Sequence, residues 1–357
     1  MEFPRVLVIC PVPINRHSGG GIAMGSFFKG WPKDSIAQIY SLSIESDHSI
    51  VEKELMINTY GSLNKKITKD FTLNSNLLSD KLFQTVASRF FLANYFADFK
   101  KIFSWCQTFS PQVIYTQPCE FPSFYWWLPY RLSQSLKIPL VTHIMDDWPA
   151  LIEKKYISSP IKSYILRHDL PKLLKISTKN LSISDEMSRV FEGRYGVQFT
   201  KFHGSIELNE WLGINKHYEN NNGAFNITYV GKLHSKLQLQ SVIDLADVVS
   251  KLRGKGYDIF FNVYTPYIFD KIARTHLSNL PGVFYGGDVE HIKFPNCLAS
   301  ADILILPVNF DEESLQFARL SMPNKVPAYM ASGTPVLVYG PPETPPVSYA
   351  DSCKWGY

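Results

Sequence analysis

Residues 301–341 read ADILILPVNFDEESLQFARLSMPNKVPAYMASGTPVLVYGP, a strand pattern, a helix pattern and a second strand pattern in succession. Ile303 to Pro307 is a short unbroken apolar run, as expected of a strand buried on both faces of a parallel sheet. Pro323 opens a helix with Ser321 or Met322 at its cap, and Gly333 closes it, where glycine accepts a left-handed turn at little cost. Pro335 to Tyr339 is the next strand. The helix start then lies at the carboxyl end of the first strand, the edge at which open α/β sheets take ligands. Its N–H groups favour a phosphate, and Lys325 adds a full positive charge. A capped helix with a lysine in its first turn is equally an ordinary piece of α/β structure, so the pattern alone leaves the anion site open.

These residues resemble the donor-binding region of GT-B glycosyltransferases of family 4, with its S-x-P-x-K helix start and its Y-[ML]-A-S-G-x-P-V entry to a strand. The matching positions are Ser321, Pro323, Lys325, Tyr329, Met330, Ala331, Ser332, Gly333, Pro335 and Val336. The resemblance implies an α/β chain of two Rossmann-like domains whose parallel sheets face across a cleft. It also implies a retaining transfer of a sugar from a nucleotide-diphosphate donor. One departure stands out. The family carries two glutamates in this region, and Ala328 and Leu320 occupy their places. Neither can accept a hydroxyl hydrogen from a ribose, so weak donor binding is expected, and Ala328→Glu is expected to strengthen it.

The chain has 357 residues, 45% hydrophobic and 19% charged, which suits about two domains with cores of their own. No apolar run is long enough to span a bilayer and no signal-peptide pattern opens the chain, so a cytoplasmic protein is expected. Cys10, Cys106, Cys119, Cys297 and Cys353 lack the spacing of a metal site or a disulfide frame, and no metal or cofactor is expected. Charge is uneven. Residues 1–200 hold 23 Lys and Arg against 17 Asp and Glu, a balance of +6, whereas residues 201–357 hold 13 against 15, a balance of −2. A basic first half suits an anionic membrane surface or an acidic acceptor, and it also describes a solvated face. Nothing points to nucleic acid.

In chain order, Arg5 to Cys10 is a buried-strand pattern, and Gly19, Gly20 and Gly21 stand between it and a helix expected near Ile22. In the resembled family such a glycine pair faces the donor phosphates. Strands follow at Ala37 to Leu42, Gln112 to Thr116, Pro139 to Ile144 and Asn180 to Ser184. A loop over 58–76 and helices over 77–106 fill the space between the first two. Phe121 to Leu132 is an aromatic run that reads as a core helix or an interfacial surface. His143 ends a strand and opens H-x-x-D-D-W, where the family has a histidine facing the donor sugar; a histidine satisfied by a neighbouring carboxylate is the plain alternative. Residues 154–179 hold Lys154, Lys155, Lys162, Arg167, Lys172, Lys175 and Lys179 with apolar residues interleaved, the pattern of a basic amphipathic helix. Ser184 caps and Gly196 stops the next helix.

The domains are expected at 1–205, on the acceptor side, and at 225–357, binding the nucleotide sugar and cut short at its end, with a linker over 206–224. Phe225 to Gly231 opens the second domain, Lys232 and Lys236 follow it, and a helix is expected from Leu237 to Arg253. Asp258 to Tyr264 and Val283 to Tyr285 continue the strands. The resemblance gives Lys232 and Lys236 to the donor diphosphate with Ser321, Asn324 and Lys325, and gives the backbone turn at Val289 to the nucleobase. His143 becomes the contact to the transferred sugar. The diphosphate gains charge as it leaves, so cations there would stabilise the transition state. The acceptor is a hydroxyl, as in cell-surface polysaccharide or glycolipid synthesis. A catalytically silent relative that binds nucleotide sugars as a scaffold is the second reading, motivated by Ala328 and Leu320.

Overall fold

The computed structural model describes residues 3–16, 18–57, 99–119, 124–150, 160–214, 223–290 and 293–357. The chain divides into two compact units, Met1–Phe202 and His203–Tyr357. The boundary falls inside the sequence expectation for the first domain, and the expected linker is in part something else. Ile206 and Trp211 pack against the apolar cluster of the second unit, so residues 206–214 belong to it. The loop expected over 58–76, most of the helix region over 77–98 and residues 215–222 lie outside the described residues.

The first unit is built on seven strands: β1 (Val6–Ile9), β2 (Ile36–Tyr40), β3 (Lys53–Met56), β4 (Val113–Thr116), β5 (Leu140–Ile144), β6 (Lys179–Ser182) and β7 (Phe199–Lys201). All pairings are parallel, in the order β3-β2-β1-β4-β5-β6-β7. β1 and β2 are buried along their whole length; β1 is an unbroken apolar run, whereas β2 carries the buried Gln38. The chain order reverses between β2-β1 and β4-β5, so the switch point, the place for a ligand in such sheets, lies beyond the carboxyl ends of β1 and β4. Helix Asp185–Tyr195 has the predicted ends: Ser184 Oγ accepts from the Met187 N–H, and Gly196 turns left-handed at φ +64°. The aromatic run becomes helix Phe124–Leu136, with Tyr125, Trp126, Leu128 and Leu132 buried, which is the core-helix reading.

The second unit holds β8 (Phe225–Val230), β9 (Ile259–Tyr264), β10 (Val283–Gly287), β11 (Ile303–Pro307) and β12 (Val336–Tyr339). They are parallel in the order β10-β9-β8-β11-β12. Their apolar faces meet helix Leu239–Gly254 and helix Asp270–Leu277 on one cluster, and residues of helix Val326–Ala331 on another. The second switch point lies between β8 and β11. Those two strands pair only at Ile303–Ile227 and Leu304–Thr228, whereas β8 stays paired with β9 as far as Val230. Beyond Thr228 the sheet therefore opens between β8 and β11.

Candidate functional site

The opening between β8 and β11 exposes a problem that side chains solve. Backbone groups buried without partners are costly, and Val230 has lost its neighbour on the β11 side. Tyr329, fully buried on helix Val326–Ala331, places its phenol oxygen 3.1 Å from Val230 N and 3.3 Å from Val230 O, accepting from the first and donating to the second. Lys325 Nζ donates to the same carbonyl at 3.0 Å and lies 4.1 Å from the centre of the Tyr229 ring. Gly231 follows at φ +157°, and a Cβ there would sit 2.3 Å from Lys325 Nζ. Only glycine lets the ammonium come so close.

The helix expected to open at Pro323 begins three residues later, at Val326, and has six residues. The reason is local: the Val326 N–H bonds to the Pro323 carbonyl in a preceding turn, and Lys325 caps without any side-chain acceptor. Neither Ser321 nor Met322 is the cap; Ser321 Oγ donates to Phe317 O at 2.9 Å, closing the helix before it. The anion site expected from a helix N-terminus is thus replaced by a single ammonium. Asn324 is exposed in this turn. Lys325 keeps part of its chain in solvent while its ammonium is packed against ring faces and a carbonyl, and burial lowers its pKa to about 7. Among the described residues no carboxylate opposes that shift.

The other expected donor-site residues of this unit are placed less uniformly. Lys232 is exposed, and its carbonyl accepts from Tyr229 Oη at 2.5 Å. Lys236 is ion-paired with Glu313, so its charge is already matched on the surface. Val289 lies two residues past β10, and its N–H bonds to Asp288 Oδ1 at 3.0 Å. Asn309, not singled out in the sequence, ties the two loops of the switch point together: Oδ1 accepts from Ser241 N at 3.1 Å, and Nδ2 donates to Ser235 O at 2.8 Å. Its signal was positional only, two residues beyond a strand end.

Ala328 and Leu320 are 5% and 3% exposed, and Ala328 packs among Leu298, Leu304, Leu306 and Val326. This corrects the expectation that a glutamate at 328 would restore a donor contact, because the side chain at this position is turned into the core.

In the first unit the glycines lie inside a helix, Gly19–Phe28, which starts three residues before the expected point because Ser18 caps it, accepting from Gly21 N at 3.2 Å. Gly20 is exposed with open space around it, whereas a Cβ on Gly21 would strike the Asn15 side chain. His143, the last residue but one of β5, is fully buried. Its Nδ1 is 2.6 Å from Tyr115 Oη, and the rings of Phe27 and Phe202 cover it at 5.5 and 5.8 Å. The neighbouring carboxylate goes elsewhere: Asp147 takes Arg194 in two bonds, of 2.6 and 2.9 Å. Trp148 stacks on Trp126 at 5.3 Å. Burial lowers the His143 pKa to about 4, opposed by the Phe202 backbone, so the ring is neutral at pH 7. Among the described residues, no three His, Cys, Asp or Glu side chains gather as a metal site would require.

No family model and no curated protein matches the chain. Solved structures do. A sucrose-phosphate synthase from Thermosynechococcus elongatus matches with a TM-score of 0.59 at 11% identity, over 94% of this chain and 82% of that one. A UDP-forming α,α-trehalose-phosphate synthase from Burkholderia xenovorans, in complex with glucose-6-phosphate, matches with a TM-score of 0.59 at 9% identity, over 94% and 85%. The catalytic domain of starch synthase IV from Arabidopsis thaliana, bound to ADP and acarbose, gives 0.56 at 11% identity, over 94% and 83%. At such identities the likeness is one of fold: the chain has the α/β fold of the GT-B glycosyltransferases.

Two outcomes follow from the buried side chains. Ala328→Glu puts a carboxylate into an apolar cluster and is expected to lower unfolding free energy by on the order of 3 kcal/mol, read from urea denaturation. His143 has a folded pKa below its unfolded value near 6.5. Its contribution is therefore complete above about pH 6.5 and is lost as pH falls toward 4, because the unfolded chain takes up the proton first. Wild type should lose roughly 2 kcal/mol more than His143→Gln between about pH 7.5 and about pH 5.

Proposed function

We propose that the protein is a glycosyltransferase that moves a sugar from a nucleotide-diphosphate sugar to a hydroxyl acceptor, with retention at the anomeric carbon. The observation that carries this reading is the Lys325 ammonium, held at the second switch point with no carboxylate partner among the described residues. A buried cation without its acid is a site that gains by taking an anion, and a diphosphate at the carboxyl edge of β8 supplies two. The shared fold supports the same reading, since the synthases of similar fold include one bound to ADP and one that is UDP-forming. Lys232 adds an exposed charge beside Gly231, and Lys236 can join once it leaves Glu313, an exposed pair that costs little to break. Within the first unit, the resemblance assigns Gly20 and Gly21 to phosphate and His143 to a sugar hydroxyl. Ser321, Asn324 and the Val289 turn complete the donor contacts, and no metal or cofactor takes part.

The acceptor belongs to cell-surface polysaccharide or glycolipid synthesis. Helix Pro160–Ile176 supports a place at the inner face of a membrane: it buries Leu166, Leu170, Leu173 and Leu174 and exposes Arg167, Lys172 and Lys175. No described helix is long and apolar enough to cross a bilayer. The scaffold reading keeps one observation in its favour, the apolar residues at 320 and 328.

Calorimetry with UDP or ADP in two buffers of different ionisation enthalpy tests the site. Binding near pH 8 should draw a proton onto Lys325, and Lys325→Met should abolish both the uptake and most of the affinity; binding without proton uptake sinks the assignment. A nucleotide-sugar panel, followed for slow donor hydrolysis, separates enzyme from scaffold. Vesicles containing anionic lipid should retain the protein at low salt and release it as salt rises, and no retention at low salt would leave the basic helix a solvated face.

A further inference from the structure

At the switch point of the first sheet a buried hydrogen-bond chain runs between strand ends: Cys10 after β1, Tyr115 and Gln117 at β4, His143 and Met145 at β5. Its proton positions follow from its sulfur end. A thioether has no proton to give, so the group that Gln117 turns to Met145 Sδ, at 3.3 Å, is the amide NH2. That nitrogen also lies 2.9 Å from Tyr115 Oη, which accepts from it. The Gln117 carbonyl oxygen faces Cys10 Sγ at 3.8 Å, a thiol kept protonated by burial and able to donate. The Tyr115 proton is left for His143 Nδ1, 2.6 Å away.

Counting orphans gives the same direction. His143 Nε2 makes no well-formed hydrogen bond whichever tautomer is present, the Phe202 backbone being the polar group that favours a proton on the ring. If Nδ1 carried the proton, Tyr115 would accept twice and its own hydrogen would also go unpaired. With Tyr115 donating, the only unmet group is the Nε2–H. The second arrangement leaves one buried polar group fewer unsatisfied and is favoured for that reason.

We infer that Gln117 and Tyr115 are positioning residues that lock His143 as its Nε2–H tautomer, so that it meets a ligand as a hydrogen-bond donor to an oxygen and not as a base. The identity of that oxygen, a hydroxyl of the donor sugar, rests on the proposed function; the tautomer does not. Phe202, 42% exposed, is the outer ring of the cover over His143, and a ligand reaches Nε2 as that ring moves aside.

Two-bond proton–nitrogen NMR of the full chain labelled with [15N]histidine tests the lock, with His143→Gln identifying the signal among the nine histidines. Wild type should show an unprotonated Nδ1 and a protonated Nε2, unchanged from about pH 8 to about pH 5. Tyr115→Phe should release the lock and mix the tautomers. A protonated Nδ1 in wild type, or an unmoved pattern in folded Tyr115→Phe, overturns the inference, and the wild-type spectrum decides even if the variant fails to fold. Adding UDP-sugars then separates the two claims. A shifted Nε2–H supports both, whereas a locked tautomer that no nucleotide sugar perturbs supports the relay and counts against the proposed function.

Discussion

The second unit's ligand edge depends on the two peptide groups of Val230. β8 must keep pairing with β9 while β11 leaves it after Thr228, and an N–H and a C=O are stranded inside the protein. Tyr329 answers both with one phenol, which fixes the face that helix Val326–Ala331 turns inward. Val326 and Ala328 are carried into the core by the same rotation, and Lys325 is delivered to the Val230 carbonyl from the turn before it. Gly231 then cannot carry a side chain. A single topological break thus determines a tyrosine, a glycine and a cation.

Val6–Ile9 and Ile303–Pro307 are legible because parallel strands buried on both faces leave apolar runs, and these two, like the more mixed Phe225–Val230, lie within one residue of their expected ends. Two edge strands escaped. Lys53–Met56 has three of four residues exposed, and Phe199–Lys201 two of three, so neither carries an apolar signature. Pro323 misled in a different way. Proline suits the first turn of a helix and equally the turn before one, and only the bond from Val326 N to Pro323 O distinguishes the two.

Side-chain direction was the part of the site that sequence could not carry. Lys325 was assigned a charge facing outward to phosphate, yet its nearest partners are a carbonyl and an aromatic face. Ala328 was judged by what a glutamate would do in a pocket, and it faces leucines. His143 stands out by its strand end, but its partner Tyr115, and the Gln117 that holds Tyr115, come from β4 and the residue after it, which the sheet order places beside β5. Knowing that β4 ends in Y-T and is followed by Gln117 is not enough without knowing its neighbour.

The two switch points, each within its own unit, are built on opposite electrostatic plans. At the first, a neutral ring is held by neutral partners, and its Nε2 makes no well-formed hydrogen bond. A donor there suits a hydroxyl oxygen, which asks for direction and offers no charge. At the second, an ammonium is held by a carbonyl and a ring face and balanced by no acid among the described residues. That arrangement suits an anion, because a neutral ligand would leave the cation as costly as before.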